Sequence, residues 1–337
     1  MTSLLEGDGV PSVAVHTNVF ARVAKSTARL RGIPTLRQAF VPQPVVGRMR
    51  AGNFRETWEY TVEKVAVNAV MAGAKPEYFP VILALAASNT TSRQGSTTSM
   101  TCLSVVNGPV RHAIGMNCGI GAMGPYSHAN TTIGRAYSLL SQNGQGGSVP
   151  GETYMGALGN PFAYSLCFAE NEERSPWQPL HVQKGFKPTD STVSVFNGLR
   201  YMQEGFGPRD TWEEKFRRCL AATAYLPPLV VLDPIVARLF QSRGIASKQD
   251  LIAWCAENAR LPARDYWDDQ WMQTLVRPRA AAGVEPYATK LKAAPDDIVD
   301  MYEPDDVNVV VVGGETQGAW KIFGANYITT ISVDAWR

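Results

Sequence analysis

The chain has 337 residues with a formal net charge of +2, 45% hydrophobic and 18% charged residues, so it can bury a large core and is not disordered by composition. The near-zero charge argues against a strongly basic nucleic-acid binder, and no apolar run approaches the roughly 20 residues of a membrane span. Five scattered cysteines without C-x-x-C or zinc-finger spacing, and a start, "MTSLLEGDGVPSVAVHTN", without a signal-peptide core, point to a soluble cytoplasmic protein with reduced thiols.

Residues 1–55, which include "RLRGIPTLRQAFVPQPVVGRMRAG", read as an extended N-terminal arm, and residues 56–337 as a single α/β catalytic domain. Helical spacing of Val62, Val65, Ala66, Ala69 and Val70 predicts a helix stopped by Gly73, and Pro76 suits the start of a second helix ending about Ala87. "TCLSVVNGP" reads as a strand, and "ANTTIGRAYSLLSQN" as a helix capped by Asn130 or Thr131. Further strands are expected at "YSLCFA", "STVSVF", "PPLVVLDP", "VNVVVVGGE" and "NYITTISV". Helices are expected at "TWEEKFRRCLAATAYL", at "IVARLFQSRG", and at "SKQDLIAWCAENARL", where Ser247 precedes Asp250 as in a capping box. Apolar strands alternating with helices predict an α/β fold with a mostly parallel or mixed sheet and helices on both faces.

In open α/β sheets ligands bind beyond the carboxyl ends of strands. Four apolar runs here pass directly into polar or glycine residues: at Asn107, at Glu170-Asn171-Glu172-Glu173, at Asp233, and at Gly313-Gly314-Glu315. Three carboxylates in four residues repel one another unless solvated, protonated or matched by cations. The proline-stiffened continuation, "RSPWQPLHVQKGF", brings Trp177 and His181, and makes Glu170, Glu172 and His181 the candidates for proton transfer. A surface loop with ordinary ion pairs is the plainer alternative. The spacing matches no metal signature, so no metal is assigned. Asn68, in an apolar helical run, either makes a core hydrogen bond or meets substrate, and Lys75 either reaches a ligand or is solvated.

"GIGAMG", residues 119–124, has the G-x-G-x-x-G spacing of a dinucleotide loop. The match fails: "RHAIGMN" before it is a poor strand, Pro125 to His128 separate it from the helix, and no acid follows until Glu152. A nucleotide cofactor is therefore not expected, and the cofactor stays unknown. Cys118, before the first glycine, is a candidate nucleophile if something lowers its pKa. Asn117, Asn130 and the free N–H groups at the helix start are candidates to hold an anion.

Several stretches together, "TVEKVAVNAVMAGAKPEYFPVILA", "NCGIGAMGP", "ANTTIGRA", "AENEERSPWQPLHVQKGF" and "VVVVGG", resemble a little-characterised bacterial family. Its members occur alone or beside a small redox-type domain called UGSC, after a selenocysteine- or cysteine-Gly-Ser-Cys motif. The resemblance spans about residue 55 to the end. That family often has cysteine at the place of Ala74, and this chain has no Cys-Gly-Ser-Cys. The resemblance implies thiol chemistry with thiols supplied by a partner, or a different activity.

The expectation is an enzyme or enzyme subunit acting on a small anionic molecule, with reductive or thiol-linked chemistry beside a redox partner. Glu170, Glu172, His181 and Cys118 would be catalytic. Asn68, Lys75, Asn107, Asn117, Asn130, Trp177, Gly313 and Gly314 would hold substrate. A cofactor-independent lyase or hydratase, and a noncatalytic scaffold completing a partner's site, are the alternatives. A homo- or hetero-oligomer is expected, with a UGSC-type protein as candidate partner, and no membrane or nucleic acid.

Overall fold

Val62–Ala72 form helix α1 because Val65, Asn68 and Ala69 share one buried face; Thr61 caps it by accepting the Lys64 N–H, and Gly73, at φ 79°, ends it. A 3-10 turn at Pro76–Tyr78 leads into α2, Phe79–Ala87, as the proline predicts. The computed structural model describes residues 14–17, 38–41, 61–88, 90, 99, 101–144, 149–150, 154, 156–162, 166–205, 211–223, 226–269 and 272–337. Within residues 1–55 the described pieces are β1, Ala14–Thr17, and β2, Gln38–Val41, which pair in parallel; the rest of the expected arm lies outside the described residues.

The chain continues through β3 (Thr101–Asn107), α3 (Val110–Ala113), α4 (His128–Gly144), β4 (Cys167–Ala169), α5 (Leu180–Gln183) and β5 (Thr192–Gly205). Then come α6 (Trp212–Ala222), β6 (Pro228–Leu232), α7 (Pro234–Ser242), α8 (Lys248–Asn258) and β7 (Arg260–Pro262). The last part holds α9 (Ala263–Asp268), α10 (Arg277–Ala281), α11 (Tyr287–Leu291), β8 (Ile298–Asp300), β9 (Asn308–Val311) and β10 (Ala319–Ser332).

Six strands form one mixed sheet in the order β4-β3-β5-β10-β6-β9. The outer pairs β3/β4 and β6/β9 are parallel, and the three inner pairings are antiparallel. Alternation along the strands sorts the core into three parts. Cys102, Val106, Val193 and Val195 pack with α1, α2 and α4. Val230, Leu232, Val309, Val311 and Ile322 pack with α6, α7 and α8, where Trp212, Phe216 and Phe240 are in ring contact.

The residues between them, Leu103, Val105, Phe168, Phe196, Leu229, Val231, Val310 and Phe323, face the other way and form one cluster drawn from all six strands. Leu180 of α5 and Ala122 join it. The sheet is thus curled, and its two edge strands approach each other: the Asn171 N–H just after β4 donates to Val311 O of β9 at 2.8 Å. Among the described residues no helix is long and apolar enough to cross a membrane.

Candidate functional site

Across the antiparallel strands between them, β3/β4 and β6/β9 run in opposite senses, yet the curl brings their carboxyl ends together. Asn107, at the end of β3, donates from Nδ2 to Glu170 Oε2 (2.7 Å) and Glu172 Oε1 (2.9 Å) beyond β4. Asn171 Nδ2 donates to Gly313 O beyond β9 (2.9 Å). Glu315 pairs with Arg238 at 2.7 Å, on the helix that Asp233 caps after β6. The four polar strand ends expected from the sequence are one neighbourhood.

The acidic stretch is held by two buried cations. Glu170, fully buried, faces Lys248 Nζ of α8 at 2.6 Å, and Lys248 is itself 1% exposed. The Leu180 N–H (2.8 Å) and Val311 N–H (3.3 Å) complete the shell of Glu170. A carboxylate with four donors ties elements together and has no lone pair directed at a substrate, so the proton-transfer role expected for Glu170 does not fit its surroundings.

Arg111 of α3 is the second cation. Its Nε donates to Gly108 O (3.0 Å), its Nη1 to Glu170 O (2.6 Å), and its terminal nitrogens fork onto Glu173 at 3.2 and 2.9 Å. It also lies 3.0 Å from Glu172 Oε2. The Gly108 N–H donates to Glu172 Oε1 at 2.8 Å. Gly108 sits at φ +81°, where an added Cβ would lie 2.0 Å from Asp190 O, so only glycine permits this approach.

His112 Nε2 donates to Glu173 Oε1 at 2.8 Å. His181 is fully buried, with Nδ1 3.9 Å from Glu172 Oε1, and neither ring nitrogen has a hydrogen-bond partner among the described residues; nor has Asn107 Oδ1.

The hydrogen bonds from Arg111 and His112 hold the Glu173 carboxyl down at about 2. A carboxyl depressed in the folded state stabilises the fold above its unfolded value of about 4.3, and that stabilisation is lost as pH falls through the folded value. Because Glu173 is 52% exposed, solvent screening leaves about 1 kcal/mol. Unfolding free energies from denaturant titrations between pH 6 and the limit set by the folded carboxyl should therefore fall by that amount more for the native chain than for Glu173→Gln. Parallel pH profiles for the two would contradict the pairing.

The glycine-rich loop lies over this neighbourhood. Cys118 O accepts the Gly313 N–H at 2.8 Å, and Ile120 fills the space beside Gly314, where a Cβ would meet Ile120 Cγ1 at 2.1 Å. Asn117 and Asn130 fold the loop upon itself: Asn130 Nδ2 donates to Asn117 O (2.7 Å) and Ala122 O (3.0 Å), while Asn130 Oδ1 accepts the Asn117 N–H (3.1 Å). The helix cap expected at Asn130 or Thr131 is corrected: α4 begins at His128, and Ser127 Oγ accepts the Asn130 N–H. Ser127 thus takes up the Asn130 and Thr131 N–H groups at the start of α4, and the Asn130 side chain is spent on the loop.

Cys118 is half-buried, whereas Cys102, Cys167, Cys219 and Cys255 are buried. Burial pushes the Cys118 thiol above its ordinary value, the Arg111 charge opposes this, and Glu173 and Glu172 add to it. Burial holds Cys167 up at about 12 and raises Cys255 as well. The condition set for a nucleophile, a lowered pKa, is not met by the chain alone.

Other expected substrate contacts lie apart from the cluster. Asn68 donates to Lys64 O (2.9 Å) and accepts from Asn143 Nδ2 (2.6 Å), a core role between α1 and α4. Lys75 is exposed and 3.9 Å from Glu77. Trp177 is buried in the aromatic cluster with α6 and α7. Among the described residues no group of three or more histidine, cysteine or carboxylate side chains could hold a metal ion. A groove of about 730 Å³ lined by Glu285, Lys290, Asp297, Asp300 and Glu303, among others, shares no residue with this site. Arg111, His112, Glu173 and Lys248 belong to the site and were not assigned to it from sequence.

Comparison with known proteins gives one match: the model of the UGSC family fits residues 3–70. The matched segment contains no cysteine, since the first in the chain is Cys102, and it overlaps the motif-bearing stretches only over residues 61–70. No curated protein and no solved structure matches the chain.

Proposed function

We propose that the chain is an enzyme, or the substrate-holding subunit of one, that performs thiol-linked chemistry on a small molecule at Cys118 in the cytoplasm. Its second redox thiol comes from a partner, with a UGSC-type protein the candidate, in a homo- or hetero-oligomer. The observation that carries this reading is the placement of Cys118: it is the one cysteine of five that is not buried, and its loop is laid over converging strand ends, where Cys118 O accepts the Gly313 N–H. Ala74, where the resembling family often has cysteine, packs against the same apolar cluster as Cys118.

The charge pattern favours a substrate with a neutral or cationic group next to the reacting atom. Arg111 has its guanidinium fully engaged by Gly108 O, Glu170 O, Glu172 and Glu173, which leaves no donor for the anion expected from sequence. Glu172 and Glu173 both raise the Cys118 thiol. A cation seated over them would cancel that push and lower the thiol toward its reactive form, so substrate binding itself activates the nucleophile. The thiolate then attacks one sulfur of a disulfide, the S–S bond breaks, the second sulfur leaves as thiolate and takes up the released proton, and a partner dithiol resolves the mixed disulfide.

A lyase or hydratase using Glu172 and His181 is the second reading, favoured by a buried imidazole with neither ring nitrogen hydrogen-bonded among the described residues and Nδ1 3.9 Å from Glu172 Oε1. The experiment is disulfide exchange followed by peptide mapping. Cystamine, a cationic disulfide, should form a mixed disulfide at Cys118 several-fold faster than the anionic dithiodiglycolate, and Cys118→Ser should form none. Equal rates, or adducts at other cysteines, would remove this reading.

A further inference from the structure

Residues 285–306 carry seven acidic and two basic side chains, in a chain whose formal net charge is +2. They build the groove of about 730 Å³ that stands apart from the thiol site. One wall is α11 and the turn before it, and the other is β8.

β8 turns a free edge toward this groove. It pairs with β7 on one side, and among the described residues no strand pairs with the other. The Ala263 N–H donates to Asp297 O and the Met301 N–H to Ala259 O, both at 2.8 Å. These bonds fix the alternation. Residues 297, 299 and 301 direct their backbone groups at β7, so Ile298 and Asp300 direct theirs the opposite way. All three residues of β8 line the groove. Side chains that alternate between two faces cannot all do so, and the edge of the strand therefore faces it. Folds blunt such edges with lysine, proline or a covering element, yet the side chain beside these backbone groups is Ile298, 61% exposed.

Charge selects what fits. Glu303 lies 3.5 Å from Lys290, and Asp300 lies 2.8 Å from Arg260. Glu285 and Asp297, one on each wall, have no such cation among the described residues. Glu285 accepts the Thr289 N–H and hydroxyl, each at 3.1 Å, and Asp297 accepts the Ala294 N–H at 2.8 Å. An added strand would satisfy the backbone groups of Ile298 and Asp300, and its side chains would supply the missing charge. We infer that the groove between β8 and α11 docks an extended, basic segment of a partner polypeptide as a third strand beside β8. An apolar side chain of that segment covers Ile298, and basic ones meet Glu285 and Asp297. The inference does not depend on the reading of Cys118.

The probe is a fluorescent peptide, acetyl-Arg-Val-Arg-Val-Arg-amide, titrated with the full chain and followed by anisotropy. It should bind, more weakly as salt rises. At saturation it should slow hydrogen exchange of the Ile298 and Asp300 amides and leave that of Val299, which already faces β7, unchanged. The acidic counterpart with Glu for Arg should not bind. The basic peptide N-methylated at every residue keeps its charge but cannot donate to a strand, and should lose most of its affinity. Ile298→Lys and Asp300→Lys each place a like charge on an exposed edge residue, and each should weaken binding roughly tenfold or more. Thermal melts establish that both variants are folded. No binding to the full chain, equal binding of the N-methylated peptide or of spermine, or unchanged affinity in both folded variants would overturn the inference.

Discussion

Arg111→Met should destabilise the chain by about 3–5 kcal/mol at neutral pH, the usual cost of removing one partner from a buried charge cluster. Arg111 is 3% exposed and Glu172 13% exposed, so water gives the carboxylate left behind little relief, and Glu170 O loses its guanidinium donor as well, while Gly108 O keeps the backbone N–H of residue 111. The effect should be partly reversed in Arg111→Met/Glu172→Gln, because the second change removes the stranded charge. Urea denaturation of the native chain, both single variants and the double variant completes the cycle. A loss below about 1 kcal/mol for Arg111→Met would place this cluster among surface ion pairs and contradict its role as the clamp.

Gly108→Ala should be nearly as damaging for a different reason. The position has φ +81°, and the new methyl would lie 2.0 Å from Asp190 O, a backbone atom that cannot swing aside as the end of a side chain could. The turn would have to open, and the Gly108 N–H would leave Glu172 Oε1. Overpacking of this kind costs roughly 1–3 kcal/mol, and the left-handed backbone adds about 1–2 kcal/mol. Gly115→Ala is the control: it also has positive φ, at +66°, but nothing lies within 4 Å of its would-be Cβ, so only the conformational cost applies. Thermal melts should rank Gly108→Ala well below Gly115→Ala. Equal destabilisation would mean that the contact with Asp190 does not constrain the site.

The architecture was largely legible because it depends on short-range pattern. The strands at residues 101–107, 228–232 and 308–311 are short, largely apolar runs, and the polar residues at their ends lie in one neighbourhood. The capping box at Ser247 and Asp250 was also readable. The long pairing of β5 with β10 was not. β10 starts at Ala319, well before the expected "NYITTISV", and its register shifts at Gly324/Ala325 and Tyr327/Thr329 break the simple alternation a strand shows in sequence. The stretch from Arg260 to Asp300, built of short helices and a two-stranded sheet, offers no run long enough to read.

The site was legible in its acids and hidden in its bases. Three carboxylates in four residues demand cations, but nothing local shows which, because Arg111 lies 62 positions from Glu173 and Lys248 lies 78 from Glu170. Arg111 stands in "RHAIGMN", which read as a poor strand because it is the short helix α3. The inward turn of Lys248 depends on its place as first residue after a capping serine, a feature visible only once the helix has a neighbour. The same distance in sequence explains why Glu170 looked like a base: its four donors come from β3, α5, α8 and β9.

The central claim is that Cys118 is the reactive thiol, held above its ordinary range by burial and, to a lesser degree, by Glu173 and Glu172, and that a cationic substrate offsets the carboxylates' share. Iodoacetamide alkylation of the native chain across pH, mapped to individual cysteines, measures both parts at once. The account predicts modification at Cys118 alone, with a midpoint above the ordinary thiol range that falls when the cystamine analogue with CH2–CH2 in place of S–S, 1,6-diaminohexane, is present. Modification of a second cysteine in the folded chain, or a Cys118 midpoint below the ordinary range and indifferent to the cation, would contradict it.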